Sequence, residues 1–116
     1  MTVDEMAANA LLTEFTQNQI YHDDVPENGT YPMICYTDLS ESPALHADNK
    51  LYARSHIIRV TVVTLGNHDI NTLKAKVERC MVNAGFNWQN TGKARDGKEY
   101  YTSLDFEIGV CELWQN

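Results

Sequence analysis

Four residues in a polar segment near the N-terminus have side chains that could bind a divalent cation. They are His22, Asp23, Asp24 and Glu27. Adjacent residues of an extended loop point in different directions, whereas zinc needs three or four converging ligands and calcium needs regularly spaced oxygens around a glycine turn. His46, His56 and His68 fall in separate parts of the chain and form no pair at helical spacing. The sequence therefore predicts no metal site.

Two further sets of residues have side chains that could take part in catalysis. Asp105 and Glu107 lie two apart on one strand face, as an acid–base pair could, but two solvated carboxylates on a sheet satisfy the same pattern. Cys35, Cys80 and Cys111 fall within apolar patterns, where a reduced thiol acts as a small hydrophobic group. The chain contains no GxSxG elbow, Walker loop or GxGxxG spacing. We therefore expect no enzyme activity, no catalytic residue and no cofactor.

The composition of the chain indicates which classes of partner it can bind. The chain has 116 residues, of which 16 are acidic and 9 are basic, and its net charge is −7 at pH 7. Affinity for nucleic acid depends on clustered Lys and Arg, so direct binding is disfavoured, although an acidic channel would let DNA slide without adhering. The chain lacks a secretory signal and an apolar run of the roughly 18 residues that a membrane helix needs. We expect one domain over residues 1–116, made and kept in a cytoplasm, with no membrane association.

Capping signals and apolar spacing predict two helices. Thr2 and Glu5 form a capping box that starts a helix over residues 3–18, whose apolar positions recur at steps of three and four. Asp69 is a suitable N-cap for a second helix over residues 70–84, with a similar apolar stripe. Each helix therefore has one face suited to packing on a sheet.

Strands are predicted over residues 31–37, 55–65, 86–91 and 99–111. Residues 21–30 are typical of a loop. The polar segment at residues 38–53 is long for a connection in a small domain. It is either a mobile loop or a hairpin arm, in which residues 44–52 extend the flanking strands.

The order of these elements predicts an α+β fold. Two helices should pack on one face of a mainly antiparallel four- or five-stranded sheet, with the long loop or hairpin arm between the first two strands. The first strand is apolar or aromatic on both faces, and tyrosine and tryptophan are residues that protein interfaces favour. We therefore expect another chain to cover part of the surface.

The same segments resemble the tail completion, or tail terminator, family of long-tailed bacteriophages and related prophage minor tail proteins. The resemblance is carried by YPMICYTDLSESP (31–43), YARSHIIRVTVVTL (52–65), INTLKAKVERCMVNAGF (70–86) and EYYTSLDFEIGV (99–110). Family members similarly place a strand, a loop, a strand with Arg and alternating Val, a helix ending before Gly-Phe, and a closing strand with Asp-Phe. The acidic residues of the segment at 23–27 are not matched to the family.

The resemblance implies a virion structural protein that forms a homo-oligomeric ring, commonly a hexamer. Such a ring caps the head-proximal end of the tail tube, ends tail growth during viral assembly and presents the surface for head–tail joining. Its partners are its own copies, the tail tube protein and the head–tail connector protein, and DNA only passes through the bore. The protein would be in the host cytoplasm during assembly and then in the virion tail. Interface residues expected on this basis are Tyr31, Tyr36, Leu45, Leu51, Tyr52, Asp105 and Glu107.

Other functions fit the same pattern of elements. Another head–tail connector or minor tail protein could share this order of strands and helices. A small-molecule-binding regulatory domain could use the same sheet and helices, with its ligand at a subunit interface. An enzyme would need converging polar residues, which the sequence does not indicate.

Overall fold

The structure, a computed structural model, describes residues 2–27, 29–45, 51–66 and 69–113, and for residues 40–45, 51–54 and 110–113 it describes the backbone alone. The helices are α1 (Val3–Leu11) and α2 (Ile70–Asn83), and the strands are β1 (Ile20–His22), β2 (Met33–Leu45), β3 (Leu51–Leu65), β4 (Asn87–Asp96) and β5 (Glu99–Leu113). Both helices pack on one face of a five-stranded sheet, which confirms the predicted α+β fold. Among these residues, no helix has the length and apolar composition needed to cross a membrane.

The strand order places β3 at the centre of the sheet. The order is β1-β2-β3-β5-β4, in which β1 runs parallel to β2 and all other neighbours are antiparallel. β3 pairs with β5 over the full length of both strands, from Leu51 opposite Leu113 to Leu65 opposite Glu99. The sheet is therefore mainly antiparallel, with β1 and β4 at its opposite edges.

The core lies between the helices and one face of the sheet. Alternate residues of β3, namely Ile58, Val60 and Val62, point to this face and are fully buried. Val77 and Met81 of α2 belong to the same apolar cluster and are equally buried. The apolar residues recur every second position in the strand and every third or fourth position in the helix. Each set therefore lies on one face of its element, and the two faces pack together as the sequence predicts.

Capping interactions begin both helices as predicted. The Thr2 hydroxyl accepts from the Glu5 amide at 3.1 Å, while the Thr2 amide donates to a Glu5 carboxylate oxygen at 2.8 Å. The Asp69 carboxylate accepts from the hydroxyl and the amide of Thr72, and these bonds lower the pKa of Asp69. Gly85 has a φ of 100°, a left-handed conformation that suits glycine after the last turn of α2.

The first helix is shorter than the predicted helix over residues 3–18. It ends at Leu11. The Thr13 hydroxyl donates to the Ala10 carbonyl at 2.7 Å, a bond that competes with regular helical pairing. The Phe15 amide still donates to the Leu11 carbonyl at 2.9 Å, and the Phe15 side chain is buried. A polar turn therefore replaces the last predicted turns while the apolar contact of Phe15 is kept.

The predicted loop over residues 21–30 begins with part of a strand. β1 pairs in parallel with β2, placing Ile20 opposite Ile34 and His22 opposite Tyr36. A strand of three residues is too short to produce an alternating pattern. The prediction was therefore wrong for the first two residues of this segment, which complete the fifth strand of the sheet.

The first two long strands pair to form an arm, and residues 46–50 lie outside the described residues. β2 and β3 pair out to Leu45 opposite Ala53, and β5 continues beside β3 to Leu113. β5 has 15 residues and α2 has 14, which correspond to roughly 50 Å and 21 Å at the usual rises per residue. The sheet therefore extends beyond the helices, and the molecule measures 53 × 24 × 24 Å. We call residues 40–45, 51–55 and 109–113 the arm.

A pair of leucine substitutions tests where the core lies. Leu104 is fully buried on β5, whereas Leu12 is 46% exposed. Leu104→Ala should lower the free energy of unfolding by about 2–5 kcal/mol, because it removes buried contacts and leaves a cavity. Leu12→Ala should change it by about 0.5 kcal/mol or less. Urea unfolding followed by circular dichroism measures both, and equal effects would contradict this placement of the core.

Candidate functional site

The sheet face that points away from the helices, called the open face below, carries facing polar pairs on β3 and β5. Arg59 lies opposite Asp105, and Thr61 lies opposite Ser103. Two guanidinium nitrogens of Arg59 donate to the two carboxylate oxygens of Asp105 at 2.8 and 3.1 Å, and this hydrogen bonding raises the pKa of Arg59. The Thr61 and Ser103 hydroxyls are 3.4 Å apart. Since a two-point guanidinium–carboxylate contact restrains both side chains, these pairs order the centre of the open face.

The second carboxylate of the predicted pair has different partners. The Ser55 hydroxyl donates to one oxygen of Glu107 at 2.5 Å, and the Gln89 amide donates to the other at 3.4 Å. The Asp105 side chain is only 13% exposed beside its arginine. Both carboxylates are therefore engaged within the sheet, rather than freely solvated as the sequence suggested.

A cluster of two tyrosines and a glutamate closes one end of the open face. The hydroxyls of Tyr31 and Tyr101 both donate to the Glu99 carboxylate, the latter at 3.0 Å. These hydrogen bonds raise the pKa of both tyrosines. Tyr31 precedes β2 and Glu99 begins β5, so their contact passes over β3. Met33 of β2 and Val63 of β3 face each other here, and each is 1% exposed. The chain thus covers part of the open face with its own residues.

Tyr36 lies on the opposite, helix-side face of β2. Its ring stacks on His22, with centroids 4.8 Å apart and planes at 18°. The His22 Nε2 atom lies 3.5 Å from Asp4 Oδ2 and 3.4 Å from Asp23 Oδ1. Burial is the main cause of the raised pKa of Tyr36. These contacts join the start of α1 to the β1–β2 edge of the sheet.

The predicted interface residues therefore do not form one patch. Tyr31, Asp105 and Glu107 are associated with the open face and Tyr36 with the helix side. The backbones of Leu45, Leu51 and Tyr52 belong to the arm, and their side chains lie outside the described residues. Their role in an interface stays a prediction.

His22 and Asp23, two of the candidate metal ligands, lie 3.4 Å apart. Within the described ranges, no group of three or more His, Cys, Asp or Glu side chains is arranged to hold a metal ion. Cys35 and Cys80 are buried free thiols. Burial raises the pKa of Cys80 to about 11 and also raises that of Cys35. The side chain of Cys111 lies outside the described residues.

A group of basic residues on the β4–β5 hairpin was missed by the sequence analysis. Lys93 and Arg95 pair with Thr102 and Tyr100, which places both on the helix side of the sheet, and Lys98 lies in the turn. The signal is present as two cations at a spacing of two, but the predicted strand ends at residue 91, whereas β4 continues to Asp96. A cavity of about 290 Å³ opens beside Lys93. It lies between the last residues of β3, the first residues of β5 and the start of α2.

No model of a protein family matches the chain, and no curated protein matches it. The fold and these surfaces define a small α+β domain with a projecting arm.

The tyrosine–glutamate cluster predicts a change in alkaline titration. Glu99→Gln should lower the pKa of Tyr31 and Tyr101, because a neutral amide no longer favours their protonated hydroxyls as the carboxylate does. The tyrosinate absorbance should then rise at lower pH than in the unmodified protein. Glu107→Gln is the control, since Glu107 is bound by Ser55 and Gln89. Identical titrations of the Glu99 variant and the unmodified protein would contradict the assignment.

The buried thiol predicts slow alkylation. In a variant in which Cys35 and Cys111 are alanine, Cys80 is the remaining thiol, and its pKa of about 11 compares with an ordinary value of 9.0. The thiolate population near neutral pH is then lower by a factor of about 100, so iodoacetamide should react at least about 100 times more slowly than with the urea-unfolded chain. Mass spectrometry follows the reaction. Similar rates for the folded and unfolded chains would show that the thiol is accessible.

Proposed function

We propose that this chain is a phage structural protein that assembles into a homo-oligomeric ring and caps the head-proximal end of the tail tube. The observation that carries the proposal is the arm, where three paired strands continue beyond the helix layer. The resemblance in segment order supplies the phage context.

The arm has the properties expected of an assembly element. Among the β5 side chains that the structure describes, Ile108 is the last buried one on the helix side, and the backbone of β5 continues five residues further, to Leu113. Small isolated β-structures are marginally stable in water and usually need another layer against them. A surface of a neighbouring subunit or of the tail tube would provide that layer. The sequence places Leu45, Leu51 and Tyr52 in this part of the chain.

The base of the arm is held in a defined geometry. The register of β2 shifts between Asp38 and Ser40, which leaves Leu39 in an irregular position and 44% exposed. On the helix side, His56 Nδ1 lies 2.9 Å from Asp38 Oδ2. Bulges bend a strand and increase its local twist. A fixed bend would give every copy the same arm direction, and closed symmetry requires such equivalent contacts.

Charge is compatible with a ring around DNA. The net charge of −7 would weaken contacts between the inner surface and the phosphate backbone, so DNA could pass without being retained. A different head–tail connector or minor tail protein would use the same arm and the same charge. The end of the tail to which the protein binds separates these alternatives.

Assembly tests the proposal directly. Multi-angle light scattering should give a mass several times the 13.2 kDa of one chain, and negative-stain microscopy should show rings or capped ends when the protein is mixed with tail tubes. Replacing residues 43–54 with Asn-Gly should prevent both, because the hairpin would close near the helix layer and the arm would be lost. Circular dichroism checks that this variant keeps its sheet.

Two results would overturn the proposal. One is a monomer at high protein concentration that also leaves tail tubes uncapped. The other is full assembly by the variant that lacks the arm, since contacts elsewhere would then be sufficient.

A further inference from the structure

We propose that the loop at residues 23–27 of one copy docks into the basic cavity on the β4–β5 hairpin of the next copy. This inference rests on the proposed ring and names the two surfaces that would meet. We call the first the acidic loop and the second the basic cavity, which is the 290 Å³ cavity with the depression beside it.

The cavity combines apolar walls with polar groups. Its walls include Leu65, Ile70 and Ala94, and its polar lining includes Thr64, Lys93 and Thr102. Thr64 and Thr102 are 2% and 3% exposed, so both residues lie at the base of the site. Such a lining suits a segment with both small apolar and acidic side chains, because the apolar walls can cover the former and the Lys93 ammonium can pair with the latter.

Two more cations extend the positive surface. Arg95 and Lys98 line a depression that adjoins the cavity through Leu65, Gly66 and Tyr100. Arg95 is held in place, since its Nε donates to the Gly97 carbonyl at 3.0 Å and its guanidinium lies 5.0 Å from the centre of the Tyr100 ring.

Nearby carboxylates are directed elsewhere. Asp96 of β4 and Glu99 of β5 are paired in the sheet, and both lie on the open face. The Glu99 carboxylate accepts hydrogen bonds from the hydroxyls of Tyr31 and Tyr101. Asp69 caps α2 through Thr72. Side chains alternate between the two faces of the hairpin, and this alternation separates its charges. The helix side of the hairpin is therefore positive and its open face is negative.

The acidic loop has matching chemistry and a defined shape. Asp23, Asp24 and Glu27 are exposed, and Val25 and Pro26 lie between them. Asp23 has a φ of 70°, and its amide donates to the Tyr36 carbonyl at 3.0 Å, so the chain turns away from the sheet at a fixed point. Two small apolar residues flanked by carboxylates fit a cavity with apolar walls and a rim of cations.

The positions of the two surfaces predict how copies are arranged. The acidic loop follows β1, whereas the basic cavity lies beside β4, and these strands form opposite edges of the sheet. A two-fold pair of sheets lying side by side joins like edges, whereas this contact joins unlike edges, so each copy would bind the next head to tail. Head-to-tail contacts generate a closed ring when the rotation between copies closes.

Exchange of charge tests the pairing. In one variant, Lys93→Glu and Lys98→Glu make both surfaces acidic, and in the other, Asp24→Lys and Glu27→Lys make both surfaces basic. Asp23 and Arg95 stay unchanged because the side chain of each has a contact within its own chain. Each variant alone should assemble at least about ten times more weakly than the unmodified protein, since like charges would meet. An equimolar mixture should recover assembly, because the two variants then alternate.

A matched control makes the same change in net charge with two other lysines. Lys74→Glu with Lys76→Glu on α2 gives the same net charge as the first variant, and neither residue lines the basic cavity or belongs to the acidic loop. This variant should assemble normally. Sedimentation velocity measures assembly, and circular dichroism measures folding of every variant. Higher salt should weaken the contact in the unmodified protein.

The outcomes separate this inference from the proposed function. If the unmodified protein forms rings and both charge variants do so equally well, the ring stands and the docking is wrong. If each variant is impaired but the mixture does not recover, the two surfaces do not meet each other. If the unmodified protein neither self-assembles nor caps tubes, the proposed function fails together with the docking.

Discussion

The structure depends on the pairing of β3 with β5. Each strand has 15 residues, and they pair in register from end to end. Every other part of the sheet is added to this pair, with β2 and β1 on one side and β4 on the other. A backbone hydrogen bond contributes only about 1 kcal/mol net, but the two strands also bury Val60, Leu104 and Phe106 against the helices. The long pair therefore combines a continuous ladder with most of the apolar layer.

This pairing also divides the molecule into two faces with different chemistry. Because side chains alternate along each strand, the register that places Val60 beside Leu104 in the core also places Arg59 beside Asp105 on the open face. A shift by one residue would turn the apolar side chains outward and separate the charged pair. The polar pairs thus reinforce the same register as the core. Exposed ion pairs contribute little free energy, so their main effect here is on alignment.

The length of the pair has a second consequence, which concerns assembly. The helices cover only the part of the sheet near the core, so the remaining strands form the arm. The sheet also has two unlike edges, with the acidic loop beyond β1 and the basic residues on β4. A chain with a projecting arm and oppositely charged edges has three different surfaces available for neighbours. These features are the physical basis for proposing an assembly subunit.

Many elements could be predicted from the sequence because their signals are local. The alternation of β3, the apolar stripe of α2, the caps at Thr2 and Asp69, and the glycine after α2 all follow from side-chain spacing and backbone preference. β1 could not be predicted, since three residues carry no period and their stability comes from pairing with β2. The choice between a loop and an arm also required the structure, because polar residues such as those at 38–43 are compatible with either.

The functional surfaces show the same division. The sequence by itself determined the net negative charge, the order of helices and strands, and the candidate residues Asp105, Glu107 and Tyr31. Only the tertiary structure decided that Asp105 is bound to Arg59, that Tyr31 crosses the sheet to Glu99, and that Lys93 lies beside a cavity. The partners in these contacts are separated by tens of residues along the chain. Local periodicity can assign a side chain to a face, but register and strand order determine what it meets there.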